Sequence, residues 1–130
     1  MLAPLSTSPG AADGPGPLLR RTGFYAEVHE VGQSVVLRLE GELDTATARE
    51  LRAALATAMA GDASSVVLDL AGLSFIDSTG IAVFLAAAHQ AESQGRSFSL
   101  RDPGRMVLKV LRLTGVDRLL SVDSSEAQTG

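Results

Sequence analysis

The sequence predicts a single α/β domain, a mixed β-sheet that begins with an antiparallel hairpin and has helices packed against it. Three observations carry that expectation. Two alternating apolar runs near the N-terminus are joined by a short connection containing glycine. Further on, apolar runs alternate with stretches of helical periodicity, the order that places strands parallel to one another. One of those runs, Val66-Val67-Leu68-Asp69-Leu70 between Gly61 and Gly72, is apolar and β-branched almost throughout, which predicts a strand in the interior of the sheet, buried on both faces.

The elements follow in order. Residues 1–22, with Ser6-Thr7-Ser8-Pro9-Gly10 and Gly14-Pro15-Gly16-Pro17, are rich in proline, glycine and small side chains and lack periodicity, so a flexible tail is expected there, ending in Leu18-Leu19-Arg20-Arg21. Phe24 to Glu30 and Ser34 to Glu40 read as the hairpin, with Val35, Leu37 and Leu39 on one side of the second strand. Asp44 is the expected N-cap of a first helix, whose stripe is Ala48, Leu51, Leu55, Ala58 and Met59. After the central strand a second helix is expected from about Thr79 to Ser93, with Ile81, Phe84, Leu85 and Ala88 inward. Ser97 to Arg101 reads as a strand. Arg105 to Thr114 reads as a helix with Val107, Val110, Leu111 and Thr114 inward and Gly115 as its left-handed cap, and Asp117 to Val122 reads as a last strand. The folded domain is thus expected over residues 23–123, with a short tail at 124–130.

Composition narrows the function. A net charge of −4 with few aromatic residues argues against a direct nucleic-acid partner. With no cysteine there is no thiol nucleophile, disulfide or zinc thiolate site. No apolar run reaches the roughly 20 residues of a membrane span, and no signal segment is evident, so the expected location is the cytoplasm, away from the membrane. His29 and His89 lack ligand spacing, nucleotide-binding glycine motifs are absent, and Ser78 has no base evident beside it. Asp44, Asp69 and Asp77 could gather at the strand ends, but cap and backbone-bonding roles account for them. The reading is of a protein that is not an enzyme, with no catalytic residue, metal or cofactor.

What remains is Asp77-Ser78-Thr79-Gly80, between the central strand and its helix. Asp77 and Ser78 stand where side-chain oxygens meet the free N–H groups of a first helical turn, so a hydroxyl is presented at the positive end of a helix. With the flanking Phe75-Ile76 and Ile81-Ala82-Val83, this block resembles the STAS domain family, and within it the bacterial anti-sigma factor antagonists, whose regulatory phosphoserine lies in a D-S-[ST]-G motif. Gly41-Glu42-Leu43-Asp44, followed by Thr47-Ala48-Arg49-Glu50-Leu51-Arg52, resembles the second signature of the family.

The resemblance covers residues 23–123 and implies a STAS-like fold in which Ser78, with Thr79 as the runner-up, accepts the phosphate. It also implies a partner-binding surface made of Asp44, Asp77, Ser78, Thr79 and Gly80, the glycine admitting a close approach by the partner. The implied partners are an anti-sigma factor that is also a serine kinase and a PP2C-type phosphatase, and the free protein is expected to be a monomer. Unphosphorylated, it would bind the kinase and free a sigma factor. Met106, Ala82 and Ala86 are secondary interface candidates. Family members usually continue into a final helix after the last strand, which Asp123 to Gly130 only begins. Two other readings fit the same resemblance: a non-catalytic STAS scaffold in a larger signalling assembly, and a ligand-sensing STAS domain.

Overall fold

The computed structural model describes residues 23–124. The expected N-terminal tail, residues 1–22, and residues 125–130 of the expected C-terminal tail lie outside the described residues. The chain runs β1 (Phe24–Val31), β2 (Ser34–Leu43), α1 (Ala48–Met59), β3 (Ser65–Ile76), α2 (Ser78–Ser93), β4 (Ser97–Arg101), α3 (Arg105–Leu113), α4 (Val116–Leu119) and β5 (Ser121–Asp123). The strands lie in chain order in one sheet, β1 antiparallel to β2 and every later pair parallel. The expected α/β architecture, with its N-terminal hairpin, is present.

Each crossover from β2 onward moves one strand in the same direction. Right-handed connections then place all the helices on one face, and the burial pattern agrees. Val35, Leu37, Leu39, Val66, Leu68, Leu70 and Leu100 share a single apolar cluster with Leu51 and Leu55 of α1, Phe84 of α2 and Val107 and Leu111 of α3. Their neighbours along the strands face the other way. Among the described residues no helix crosses to the second face, so the central strand is not buried on both faces as expected: Val67 and Asp69 of β3 are half-buried there.

That second face carries a row of charges across the sheet. Glu27, Arg38, Asp69, Arg101 and Asp123 are successive partners on the five strands, so the sign alternates at every step. Opposite charges on neighbouring strands attract. Asp69 Oδ2 lies 3.1 Å from Arg101 Nη2, while its Oδ1 accepts from the Ala71 N–H at 3.0 Å, the backbone role foreseen for it. At the β1 end, Glu27 accepts from the Tyr25 hydroxyl at 2.6 Å and lies 3.0 Å from His29 Nε2. These two hydrogen bonds, Tyr25 first, hold the Glu27 carboxyl below its ordinary range, and the carboxylate in turn raises Tyr25.

The structure departs from the sequence reading at several boundaries. Gly72 does not end the central strand: β3 continues to Ile76, and a Cβ at Gly72 would stand 2.8 Å from Glu40 Cγ and 3.0 Å from the Leu39 carbonyl oxygen. The glycine serves a close approach where the β2–β3 register slips, and β2 correspondingly extends to Leu43. On α2 the buried stripe is Gly80, Ile81, Val83, Phe84, Ala87 and Ala91, with Leu85 and Ala88 only half-buried. Thr114 is exposed, its hydroxyl turned back on the carbonyls of Val110 and Leu111. Gly115 has the expected left-handed conformation, φ 80°, but the chain then makes the short α4 before β5, because Val116 inserts into the core at 2% exposure.

Candidate functional site

The Asp77 turn is held by its own backbone and by the neighbouring loop. Asp77 is the N-cap of α2, extended at φ −116° and ψ −171°, and its Oδ1 accepts the N–H groups of Thr79 at 2.9 Å and Gly80 at 3.1 Å. Its own N–H donates to the carbonyl of Leu43 at 3.1 Å, tying the end of β3 to the end of β2. Ser78 is the first residue of the helix, and it is exposed. The expectation of a helix start carrying a presented hydroxyl holds, with Asp77 alone as the capping side chain.

The Asp44 loop lies against this turn. Asp44 does not cap α1 directly, since Thr47 holds the N-cap position. Instead Asp44 Oδ1 accepts the Thr47 N–H at 3.1 Å, and the Asp44 N–H donates to the Thr47 hydroxyl oxygen at 3.0 Å, closing a turn ahead of the helix. The two loops meet through Thr45 and Thr79, whose hydroxyl oxygens are 3.0 Å apart across 34 positions of sequence. Thr45 is the residue that sequence reasoning missed, because nothing local marks a threonine whose partner lies on another loop. Thr79, half-buried, has its hydroxyl engaged in this way.

Gly80 has a role within the chain. It is buried, and a Cβ there would stand 2.8 Å from both Ile76 Cγ1 and Leu43 Cγ. Its missing side chain lets the first turn of α2 sit against the ends of β2 and β3, where the sequence reading had it admit a partner. Overpacking of this kind costs about 1–3 kcal/mol, so Gly80→Ala is expected to lower unfolding stability by that amount in a denaturant titration. Asp77→Ala removes the cap from two N–H groups at a cost of about 0.5–2 kcal/mol, most of which Asp77→Asn restores; chemical unfolding of the two variants checks this.

The remaining candidates separate. Ala82 and Ala86 follow Ser78 at helical spacing on α2, are exposed, and line a groove of about 460 Å³ with Arg52, Leu55 and Ala56 of α1. Met106 stands on α3 with 61% of its surface exposed. Asp69 lies in the middle of the sheet with Arg101, away from the Asp44 and Asp77 loops, so the three carboxylates do not converge. Among the described residues no group of three or more His, Cys, Asp or Glu side chains could hold a metal ion.

The turn, its helix and the loop beside it fall within a wider match. The family model for the "Mlab, STAS domain" covers residues 26–121. The chain belongs to the STAS domain family. Its relatives within that family include the anti-sigma F factor antagonist of Lysinibacillus sphaericus, 31% identical over 97 residues that span 74% of this chain and 82% of that protein. The anti-sigma-F factor antagonist RsfB of Mycobacterium tuberculosis is 30% identical over 97 residues, 73% of this chain and 79% of that protein. Among solved structures, SpoIIAA in its unphosphorylated form matches the STAS domain with a TM-score of 0.66 at 27% identity, over 81% of this chain and 93% of that one. The phosphorylated form of the Bacillus cell fate determinant SpoIIAA matches with a TM-score of 0.60 at 26% identity, over 81% and 96%. No helix among the described residues of this STAS domain is long and apolar enough to cross a membrane.

Proposed function

We propose that this STAS domain is a cytoplasmic anti-sigma factor antagonist, not an enzyme, whose grip on an anti-sigma factor kinase is set by phosphorylation of Ser78. The observation that carries the reading is the exposed Ser78 on the first residue of α2, next to the aspartate that caps the helix and braced by the Asp44 loop. Relatives that are anti-sigma factor antagonists, and a structural neighbour solved in unphosphorylated and phosphorylated forms, support it.

Chemistry favours Ser78 over Thr79 as the acceptor. Thr79 is half-buried and its oxygen is engaged with Thr45, whereas Ser78 is exposed. A phosphate on Ser78 brings about −1.5 to −2 charges and three acceptor oxygens. A helix N-terminus tolerates such an anion. Here Asp77 already occupies the N–H groups of Thr79 and Gly80, so the dianion is turned outward rather than folded onto those donors. A partner seated over Asp44, Asp77, Ser78 and Thr79, and extending along the Ala82 and Ala86 groove, then meets concentrated negative charge and is expelled. Gly80 sets the depth of the helix start beneath that surface. The unphosphorylated antagonist binds the kinase and releases the sigma factor, and a PP2C-type phosphatase restores that state.

Incubation with ATP and each candidate anti-sigma kinase, followed by intact-mass measurement, tests this. One added phosphate in the wild type and none in Ser78→Ala is the expected result. Phosphate retained by Ser78→Ala and lost in Thr79→Val would move the switch to Thr79, and no phosphate from any kinase would remove it.

A further inference from the structure

The chain joins the sheet close to the Ser78 turn. Gly23 continues the β1–β2 ladder past Phe24: its carbonyl accepts the Glu42 N–H at 3.3 Å, and a Cβ at Gly41 would run into that same carbonyl. Because the two strands are antiparallel, the backbone before Gly23 sets out in the direction in which β2 runs on to Leu43 and Asp44. Leu43 is also the residue whose carbonyl holds the Asp77 N–H, from the β3 side. Only β2 separates the point of entry from the Ser78 turn, about two strand spacings or ~10 Å.

This end of the sheet is acidic, with Glu42 and Asp44 on β2 and its loop and Asp77 on the turn. The ion pairs among the described residues, His29 with Glu27 and Arg101 with Asp69, give none of the three a basic partner. Two guanidinium groups, Arg20 and Arg21, stand in the sequence just ahead of Thr22 and Gly23. Extended backbone covers about 3.3 Å per residue, so Arg21 and Thr22, with the length of an arginine side chain added, span the gap. We propose that Arg20 and Arg21 are an intramolecular receptor for the phosphate on Ser78, drawing the N-terminal segment over the Asp44–Ser78 surface once the serine is modified. The proposal rests on Ser78 being the phosphorylated residue.

The need for such a receptor comes from the turn itself. Asp77 Oδ1 already holds the N–H groups of Thr79 and Gly80, so a phosphate on Ser78 must find its donors elsewhere. Before modification the arginines have only carboxylates to meet, two of which are engaged: Asp77 in this way and Asp44 by the Thr47 N–H and hydroxyl. Exposed ion pairs of that kind are worth little. A phosphate brings about −1.5 to −2 charges and three oxygens, which match the planar fork of arginine in paired hydrogen bonds. The segment then occupies the surface a partner would cover, so exclusion is steric as well as electrostatic. Arg49, exposed on the first turn of α1, is the rival donor among the described residues.

Phosphoserine installed at position 78 during synthesis of the full chain tests the pairing without a kinase, so its outcome is separate from whether any kinase modifies Ser78. Trypsin cleavage after Arg20 and Arg21, followed by mass, should be slowed at least tenfold by the phosphate at low salt and much less in high salt, while cleavage after the exposed Arg105 is unchanged. The phosphate, titrated by phosphorus NMR, should lose its second proton below its ordinary value of about 6, and Arg20→Gln with Arg21→Gln should return it there. Equal cleavage with and without phosphate, whether fast in both or slow in both, would overturn the proposal. So would a phosphate titration that Arg49→Gln shifts and the Arg20 and Arg21 variant does not.

Discussion

On the proposed switch, Ser78→Asp is expected to lower the affinity for an anti-sigma kinase by about a hundredfold or more, with Ser78→Ala expected to bind as the wild type does; titration calorimetry on the three proteins reads the difference. A hundredfold loss corresponds to about 2.8 kcal/mol. That is within reach of one charge placed in a contact already bordered by Asp77 and Asp44, where like charges repel and the partner cannot rearrange water freely. The phosphorylated protein carries more charge than aspartate and loses more. Equal binding by all three proteins would leave the STAS domain as a scaffold and remove Ser78 from the interface. Because Ser78 is exposed and its side chain caps nothing, neither substitution should change the unfolding midpoint appreciably, which separates loss of the partner from loss of the fold.

Phe84→Ala lowers stability by about 3–5 kcal/mol and the thermal midpoint by roughly 10–25 °C, measured by calorimetry. Phe84 has no exposed surface, is the largest of the fully buried side chains, and lies in the single cluster that joins α1, α2 and α3 to the sheet. Its removal leaves a cavity beneath α2, and a domain with total stability of about 5–15 kcal/mol feels it. Phe84→Leu should recover most of the loss. The substitution also acts on function at a distance: the helix Phe84 anchors is the one that begins with Ser78, so partner binding should fall with the folded fraction rather than through any change at the surface.

Much of this molecule is legible in the chain because the signals are local. Alternation in Ser34 to Glu40 places Val35, Leu37 and Leu39 on the core side, and the helical stripe of α1 is buried at every position the spacing marks. Asp77 could be read as a cap because capping needs only the next three residues. The errors occur where a residue's meaning depends on a distant neighbour. Gly72 looks like a strand end and Gly80 like an opening for a partner. Their missing side chains instead make room for Glu40 and for Leu43, both on β2. The inward stripe of α2 is rotated relative to the expected one because the helix packs against α1 as well as β4, which its own periodicity does not specify.

The sequence by itself determined the order of elements as far as α3, the core side of β2 and the motif that puts a serine at a helix start, since hydrophobic period, caps and turn residues act over a few positions. Only the tertiary structure decided which hydroxyl is available there and what surrounds it. Thr45 engages Thr79, the Leu43 carbonyl pins the Asp77 turn, and one-handed crossovers leave a row of alternating charges across one sheet face, because contacts across thirty or more residues depend on how strands align in space.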